Sequence, residues 1–166
     1  MISTDGSFRA GDLLISRALT LDAFEVAPAR AGARMNYHGH GVSVRLDGRD
    51  VLGRPAIVGL EFRAGSVERA WICLRLPGDG KDWSDWTLEQ EMARKRAHDE
   101  LAFALFGAAL TLRPMDVGGK PVLPLFPGPE YPNHARFTWG EVVSGYDSKG
   151  GAAEMWISYR TRDVDG

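Results

Sequence analysis

Hydrophobic and polar residues alternate with a period of two in the first half of the chain. Residues 42–46 read Val-Ser-Val-Arg-Leu, and residues 57–63 also present two distinct faces. This alternation is typical of strands that are buried on one face only. Residues 67–76 are apolar on both faces, which favours a central strand. The pattern predicts strands over residues 12–17, 34–46, 57–63 and 67–76, with turns at residues 47–50 and 64–66.

A long helix is predicted immediately after Thr87. The Thr87 hydroxyl can accept a hydrogen bond from the backbone three residues later, Gln90 can complete a capping box, and Gly107 is a natural C-terminal cap. Good helix formers fill the interval, so we predict a helix over Leu88–Phe106. Its buried side is expected to carry Leu88, Met92, Phe103 and Phe106.

The remaining segments complete an α+β fold. Thr20 is a cap for a short helix over residues 21–26. Six of the nine prolines lie within residues 113–134, which predicts an irregular loop. Two final strands, residues 136–145 and 152–160, flank a hairpin loop. The predicted fold is one α+β domain over residues 1–166, an antiparallel sheet of about five to six strands with one long helix and one short helix packed on one face.

Composition excludes several classes of protein. The chain has 166 residues, of which 44% are hydrophobic and 25% are charged, as in ordinary globular domains. The net charge of −2 gives no field that predicts binding to nucleic acid or to an anionic membrane. No window reaches the roughly eighteen apolar residues that a membrane span requires, and no secretion signal is visible. We therefore expect a cytoplasmic protein.

Few residue types in the chain point to catalysis or metal binding. His38 and His40 would share one strand face and could bind a metal, but Cys73, His98 or His134 would have to complete the site. None of the three has ligand spacing, so solvated histidines are the simpler interpretation. Cys73 lies in an apolar run, which predicts a buried, reduced and inert thiol. No cofactor, metal or catalytic residue is predicted.

An acidic, tryptophan-containing segment precedes the long helix. Asp79, Asp82 and Asp85 are spaced by three residues, which does not match a calcium-binding EF-hand loop. Large aromatic residues in a polar loop either fold back onto the core or bind a partner, and both interpretations remain open for Trp83 and Trp86. If they bind, the aspartates would steer a basic protein. The candidate partner-binding residues are Asp79, Asp82, Trp83, Asp85, Trp86, Tyr146 and Asp147.

Three motifs carry a resemblance to known proteins. Residues 19–24, residues 86–91 leading into 94–99, and residues 139–147 ahead of the last strand resemble a family of small bacterial proteins. That family is similar to the immunity partners of polymorphic or contact-delivered toxins. The resemblance implies a non-catalytic protein that occludes the active site of a cognate toxin. It supplies no catalytic residues.

Two alternatives come from other functional classes. One is a small metal-dependent or hydrolytic enzyme that uses His38, His40 and a carboxylate. The other is a self-associating adaptor domain, since nothing in the sequence argues against a homodimer. A protein partner is expected in the favoured interpretation, with no nucleic acid and no membrane.

Overall fold

A computed structural model describes residues 2–79, 85–125, 128, 131–147 and 149–159 of the chain. Its helices are α1 (Leu21–Glu25) and α2 (Leu88–Phe106), and a 3₁₀ turn covers Pro28–Arg30. The strands in chain order are β1 (Phe8–Ala10), β2 (Leu13–Ile15), β3 (Arg34–His38), β4 (Gly41–Val51), β5 (Arg54–Arg63), β6 (Ser66–Leu74), β7 (Thr111–Leu112), β8 (Met115–Val117), β9 (Lys120–Val122), β10 (Asn133–Phe137), β11 (Gly140–Asp147) and β12 (Ala152–Ser158).

The main sheet has eight strands in the order β3-β4-β5-β6-β12-β11-β10-β7, and all neighbours are antiparallel. It consists of two four-stranded halves that meet where β6 pairs with β12. β1 with β2, and β8 with β9, form separate two-stranded sheets. The α+β class and the antiparallel sheet are confirmed, whereas the predicted number of five to six strands is wrong.

The sheet is larger than predicted because two predicted strands are hairpins and because β7 adds an edge strand that was not predicted. Residues 34–46 turn back at Gly39 and His40, and residues 136–145 turn back at Thr138 and Trp139. Each second strand begins with a glycine of positive φ, 151° at Gly41 and 155° at Gly140. A side chain on Gly41 or Gly140 would overlap a backbone carbonyl of the neighbouring strand. Each glycine thus allows close approach of a neighbouring strand whose residues are distant in sequence, and alternation alone does not reveal this approach.

Other boundaries also differ from the prediction. The prediction of a turn at residues 47–50 is wrong. Strand β4 continues to Val51, with an irregularity in its pairing between Leu46 and Arg49, and the chain turns at residues 52–53. The turn at residues 64–66 is confirmed. Residues 113–134, predicted as a loop, contain β8 and β9, and residues 12–17 form part of the β1–β2 hairpin.

The hydrophobic core lies on one face of the main sheet. The aromatic ring of Phe24 in α1 packs at 5.8 Å from that of Phe62 in β5. The β1–β2 hairpin and α2 contribute to the same cluster of buried residues, as Phe8 and Leu101 show. Both helices therefore cover the same face, as predicted. Among the described helices, none combines the length and the apolarity that a membrane crossing requires.

Helix α2 has the predicted ends but a different buried side. Thr87 Oγ1 accepts a hydrogen bond from Gln90 N at 3.2 Å, and Gly107 ends the helix with a φ of 71°. The Gln90 side chain donates to Gly78 O instead of completing a capping box. Met92 and Phe106 are buried as predicted, but Leu88 and Phe103 are exposed. The helix buries four polar residues in their place: Glu91, Arg94, Lys95 and His98.

Arg94 is the centre of a buried ionic network that explains this helix face. Its Nη2 lies 2.7 Å from Asp79 Oδ1 and 3.2 Å from Glu91 Oε1, and its Nη1 donates to Leu74 O at 3.1 Å. Glu91 Oε2 in turn accepts from the backbone N–H of Ala153 at 2.7 Å. The network joins α2, the end of β6, the following loop and the start of β12, so it holds the helix on the junction between the two halves of the sheet.

We predict that Arg94→Ala destabilises the protein by about 3–5 kcal/mol, because the buried Glu91 carboxylate loses its cation and, among the described residues, Asp79 keeps only the half-exposed Arg75, 3.7 Å away. The free energy of unfolding from urea titrations checks this value. Arg96→Ala is the matched control, since Arg96 is exposed on the same helix and its loss should change stability by only about 0.5 kcal/mol or less. Equal effects of the two substitutions would contradict the role of the network.

His98 is fully buried beneath the same helix. Its Nε2 accepts a hydrogen bond from Leu74 N at 3.0 Å, which places the ring hydrogen on Nδ1, and no partner for Nδ1 occurs among the described residues. Burial is the largest effect on this imidazole, and the cations Arg94, Lys95 and Arg54 add to it, so the pKa of His98 falls to about 3. A protonated ring would also lose its bond to Leu74.

The depressed pKa predicts a specific loss of stability in acid. Because the unfolded chain binds a proton near pH 6.5 and the folded chain only near pH 3, the stabilisation is complete above pH 6.5 and declines as the pH falls towards 3. The decline approaches about 1.4 kcal/mol per pH unit. In urea titrations between pH 7.5 and 4, the free energy of unfolding should decline less for His98→Gln than for the wild-type protein. The glutamine keeps an acceptor for the backbone N–H of Leu74. Equal declines for the two proteins would show that His98 does not cause this loss of stability.

Candidate functional site on the open face of the sheet

The face of the main sheet opposite the helices carries a continuous set of partly exposed side chains. Cross-strand partners lie on the same face of a sheet, so the strand register identifies the members directly. One rung crosses all eight strands and consists of Arg34, Arg45, Gly59, Trp71, Trp156, Val143, His134 and Thr111. We call this rung, with the rungs on either side of it, the open face.

Two tryptophans occupy the centre of the open face. Trp71 on β6 lies directly opposite Trp156 on β12, with ring centroids 6.3 Å apart and planes inclined at 47°. The guanidinium carbon of Arg69 lies 5.2 Å from the centroid of the Trp156 ring, in cation–π geometry. We call Trp71 and Trp156 the tryptophan pair. It lies on the junction between the two halves of the sheet.

Gly59 determines where the Trp71 ring lies. Gly59 is the cross-strand partner of Trp71 on β5, and a Cβ at Gly59 would overlap the indole of Trp71. The glycine therefore leaves room for the ring to lie across the neighbouring strand. The Trp71 ring is in consequence only partly exposed.

The next rung includes the charged residues Glu61, Arg69, Glu141 and Arg136, and it has His134 and Arg113 as neighbours. The Glu141 carboxylate lies 2.9 Å from His134 Nδ1, 3.4 Å from Arg113 Nη2 and 3.7 Å from Arg136 Nε. Arg69 Nη1 lies 3.7 Å from Glu61 Oε2. A groove of about 440 Å³ runs beside the tryptophan pair and is lined by Glu68, Arg69, Arg113, Glu141, Val143, Trp156 and Ser158.

The rung on the other side of the tryptophan pair contains Cys73 and Glu154. Cys73 is only partly buried and not fully buried as predicted, because it alternates with the core residues Ile72 and Leu74, and its Sγ lies 3.9 Å from Arg94 Nη1. Burial is still the largest effect on the thiol and raises its pKa to about 11, although Arg94 acts in the opposite direction. The pKa of Glu154 is raised, first by burial and then by the Asp147 carboxylate. The thiol is therefore not activated as a nucleophile.

The predicted histidine pair is not a site in this structure. His38 ends β3 and its Nε2 lies 3.1 Å from Ser43 Oγ, whereas His40 is in the turn that follows. The expectation that both rings share one strand face is therefore wrong. His98 is buried under α2 and His134 contacts Glu141. In the part of the chain that the structure describes, no group of three or more His, Cys, Asp or Glu residues could hold a metal ion.

The acidic segment before α2 divides into residues with different roles. Asp82 and Trp83 lie outside the described residues. Asp79 is nearly buried, pairs with Arg94 and accepts a hydrogen bond from Leu76 N at 2.8 Å, so its carboxylate stabilises the loop and does not face a partner. Asp85 is exposed.

Trp86 connects this segment to the last hairpin. Its indole Nε1 donates to Gly151 O at 2.6 Å, while 38% of the residue stays exposed. Asp147 Oδ1 accepts from Lys149 N in the same hairpin at 2.9 Å. The structure thus brings Trp86 next to the hairpin that contains Tyr146 and Asp147, two candidates that follow Trp86 by about sixty residues in sequence. We call Trp86 and this hairpin the hairpin surface; its role in binding stays a prediction.

Sequence reasoning missed the tryptophan pair and Arg69. A signal existed in β12, where Ala153, Met155 and Ile157 alternate with Glu154, Trp156 and Ser158, so Trp156 shares the polar face. The same alternation does not identify the face of Trp71, because the residues around Trp71 are apolar on both faces of the strand.

The chain has no recognisable relative in the comparisons with known proteins. No model of a protein family matches it, and neither the curated proteins nor the solved structures contain a match. The geometry of the chain itself is therefore the basis for the proposals that follow.

We predict that Gly59→Ala displaces the Trp71 indole and destabilises the protein by about 1–3 kcal/mol, as overpacking does. Near-UV circular dichroism should change because the tilted arrangement of the tryptophan pair is lost. Gly39→Ala is the matched control, since a Cβ at Gly39 meets no atom within 4 Å. An unchanged aromatic spectrum for Gly59→Ala would show that Gly59 does not position the ring.

Proposed function

We propose that the chain is a non-catalytic binding protein that recognises another protein through its open face. The observation that carries this proposal is the tryptophan pair, with Arg69 over one ring, in a partly exposed position at the centre of the sheet. In the specific form implied by the resemblance described above, the partner is a bacterial toxin. The cytoplasmic immunity protein would then cover the toxin's active site.

The composition of the open face supports a protein partner. Tryptophan and arginine are the residue types most enriched among side chains that dominate binding energy. Protein interfaces place such groups at the centre and surround them with a polar rim. Here the tryptophan pair is central, and ion pairs such as Glu61 with Arg69 and Glu68 with Arg63 lie beside it.

Two other kinds of ligand fit this surface less well. Nucleic acid is disfavoured because Glu61, Glu68 and Glu141 alternate with the arginines and would repel successive phosphates. Small-molecule pockets are lined mainly by apolar groups, whereas charged and hydroxyl side chains dominate the lining of the groove. No specific observation favours the alternative of an enzyme based on His38 and His40.

The proposal predicts that Trp156→Ala weakens binding to the product of the adjacent gene, which an immunity protein should neutralise. Loss of a central anchor should cost about 2 kcal/mol or more, which is roughly 30-fold in Kd. Isothermal titration calorimetry measures the affinity, and thermal unfolding measures the folded fraction. Trp71→Ala provides a second variant in case Trp156→Ala unfolds.

Two further variants make the result decisive. Phe103→Ala is the matched control, because Phe103 is an exposed aromatic on α2, which covers the opposite face. Trp86→Ala tests the hairpin surface. Normal binding by both variants of the tryptophan pair, with loss of binding by Trp86→Ala, would move the interface to the hairpin surface. No binding by the wild-type protein would overturn the immunity function.

A further inference from the structure

We infer that the open face binds its partner through a carboxylate of the partner, which docks at a cluster of three arginines beside Trp156. We call Arg69, Arg113 and Arg136 the arginine cluster. The inference rests on the proposed function and specifies the chemistry of the partner.

The arginine cluster has more positive charge than its neighbours neutralise. Within the described part of the chain, these three guanidinium groups pair with two carboxylates, those of Glu61 and Glu141, which leaves a local surplus of one positive charge. The adjacent pair of Arg63 and Glu68, 3.1 Å apart, is balanced and does not change this difference. The surplus is local, since the whole chain carries a net charge of −2.

The existing ion pairs in the cluster are long. The contacts of the three arginines with Glu61 and Glu141 measure 3.4 to 3.7 Å. Charge-assisted hydrogen bonds are typically about 2.7–2.9 Å long. The buried pair of Arg94 with Asp79, at 2.7 Å, shows what a closed contact looks like in this protein. The three arginines can therefore donate hydrogen bonds to a carboxylate of the partner without breaking a short ion pair.

Exposure makes the cluster accessible. The Arg136 side chain is 70% exposed, that of Arg69 46% and that of Arg113 31%. Arg113, which follows β7, and Arg136 on β10 both contact Glu141, so their guanidinium groups lie close together beside that carboxylate. A planar carboxylate matches the donor geometry of guanidinium groups.

The neighbouring groups define what the ligand carries besides the carboxylate. Trp156 lies between the cluster and the Glu154 end of the open face, so an apolar side chain of the partner can pack on the tryptophan pair while its carboxylate reaches the arginines. At the other end Glu154 and Asp147 would repel the same carboxylate. This polarity gives the partner one orientation. The three glutamates beside the arginines restrict the cluster to a single anionic group, which favours a protein over a polyphosphate chain.

Charge reversal at Arg136 tests the inference with the product of the adjacent gene. Arg136→Glu should weaken binding by about tenfold or more and reduce the dependence of the association rate on salt. Arg96→Glu, on the exposed side of α2, is the matched control and should bind normally. Arg136 is mostly exposed, so the variant should fold; Arg113→Gln provides a second, milder change, and thermal unfolding is measured for both.

Defined probes test the chemistry independently of that partner. The probes are two short peptides, one alternating Glu and Leu and one alternating Lys and Leu, together with oligothymidylate, each titrated into isotopically labelled protein. The acidic peptide should shift the indole N–H signal of Trp156, and Arg136→Glu should abolish that shift. A shift with the basic peptide or with oligothymidylate only, or no shift with any probe, would overturn the inference.

The two failures can be told apart. If Trp156→Ala weakens binding of the adjacent gene's product while Arg136→Glu does not, the open face is the interface but the carboxylate inference is wrong. If neither substitution weakens that binding, the proposed function of the open face fails as well.

Discussion

The pairing of β6 with β12 joins the two halves of the sheet and sets the character of both of its faces. It places Ile72 opposite Met155 on the core side and Trp71 opposite Trp156 on the open side. Helix α2 lies over this junction and packs against β6, β11 and β12. The ionic network around Arg94 then fixes the helix to the end of β6 and the start of β12. Core, helix and tryptophan pair therefore all depend on one strand pairing between segments that are far apart in sequence.

Charged residues serve different purposes on the two faces. Under α2 the contact of Arg94 with Asp79 is 2.7 Å long and nearly buried. It stabilises the fold because each charge compensates the other where water has little access. On the open face the arginines contact their carboxylates at 3.4 to 3.7 Å and stay partly exposed. Exposed pairs of this kind contribute little to stability, about 0–1 kcal/mol each. In the proposed interface their contribution is to recognition, since exposed charges guide association and orientation.

The two candidate surfaces have different physical origins. The hairpin surface arises because Trp86 donates a hydrogen bond to Gly151, which uses the polar edge of the indole for structure and leaves part of the ring outside. The tryptophan pair arises because Gly59 has no side chain, which leaves room for Trp71 on the sheet. The second surface combines two partly exposed aromatic rings with an arginine at its centre, which is why we propose the interface there.

Local sequence determined the parts of this protein that depend on neighbours along the chain. Thr87 and Gly107 defined both ends of α2, the turn at residues 64–66 followed from its composition, and the α+β class followed from alternation and helix signals. Tertiary structure decided what depends on distant residues. The hairpins within residues 34–46 and 136–145 require the approach of Gly41 and Gly140 to other strands. Leu88 and Phe103 were expected to be buried, but α2 buries a different side. The Arg94 network compensates the polar groups on that side, which sequence patterns assign to solvent. The tryptophan pair could not be predicted, since Trp71 and Trp156 become neighbours only through strand register.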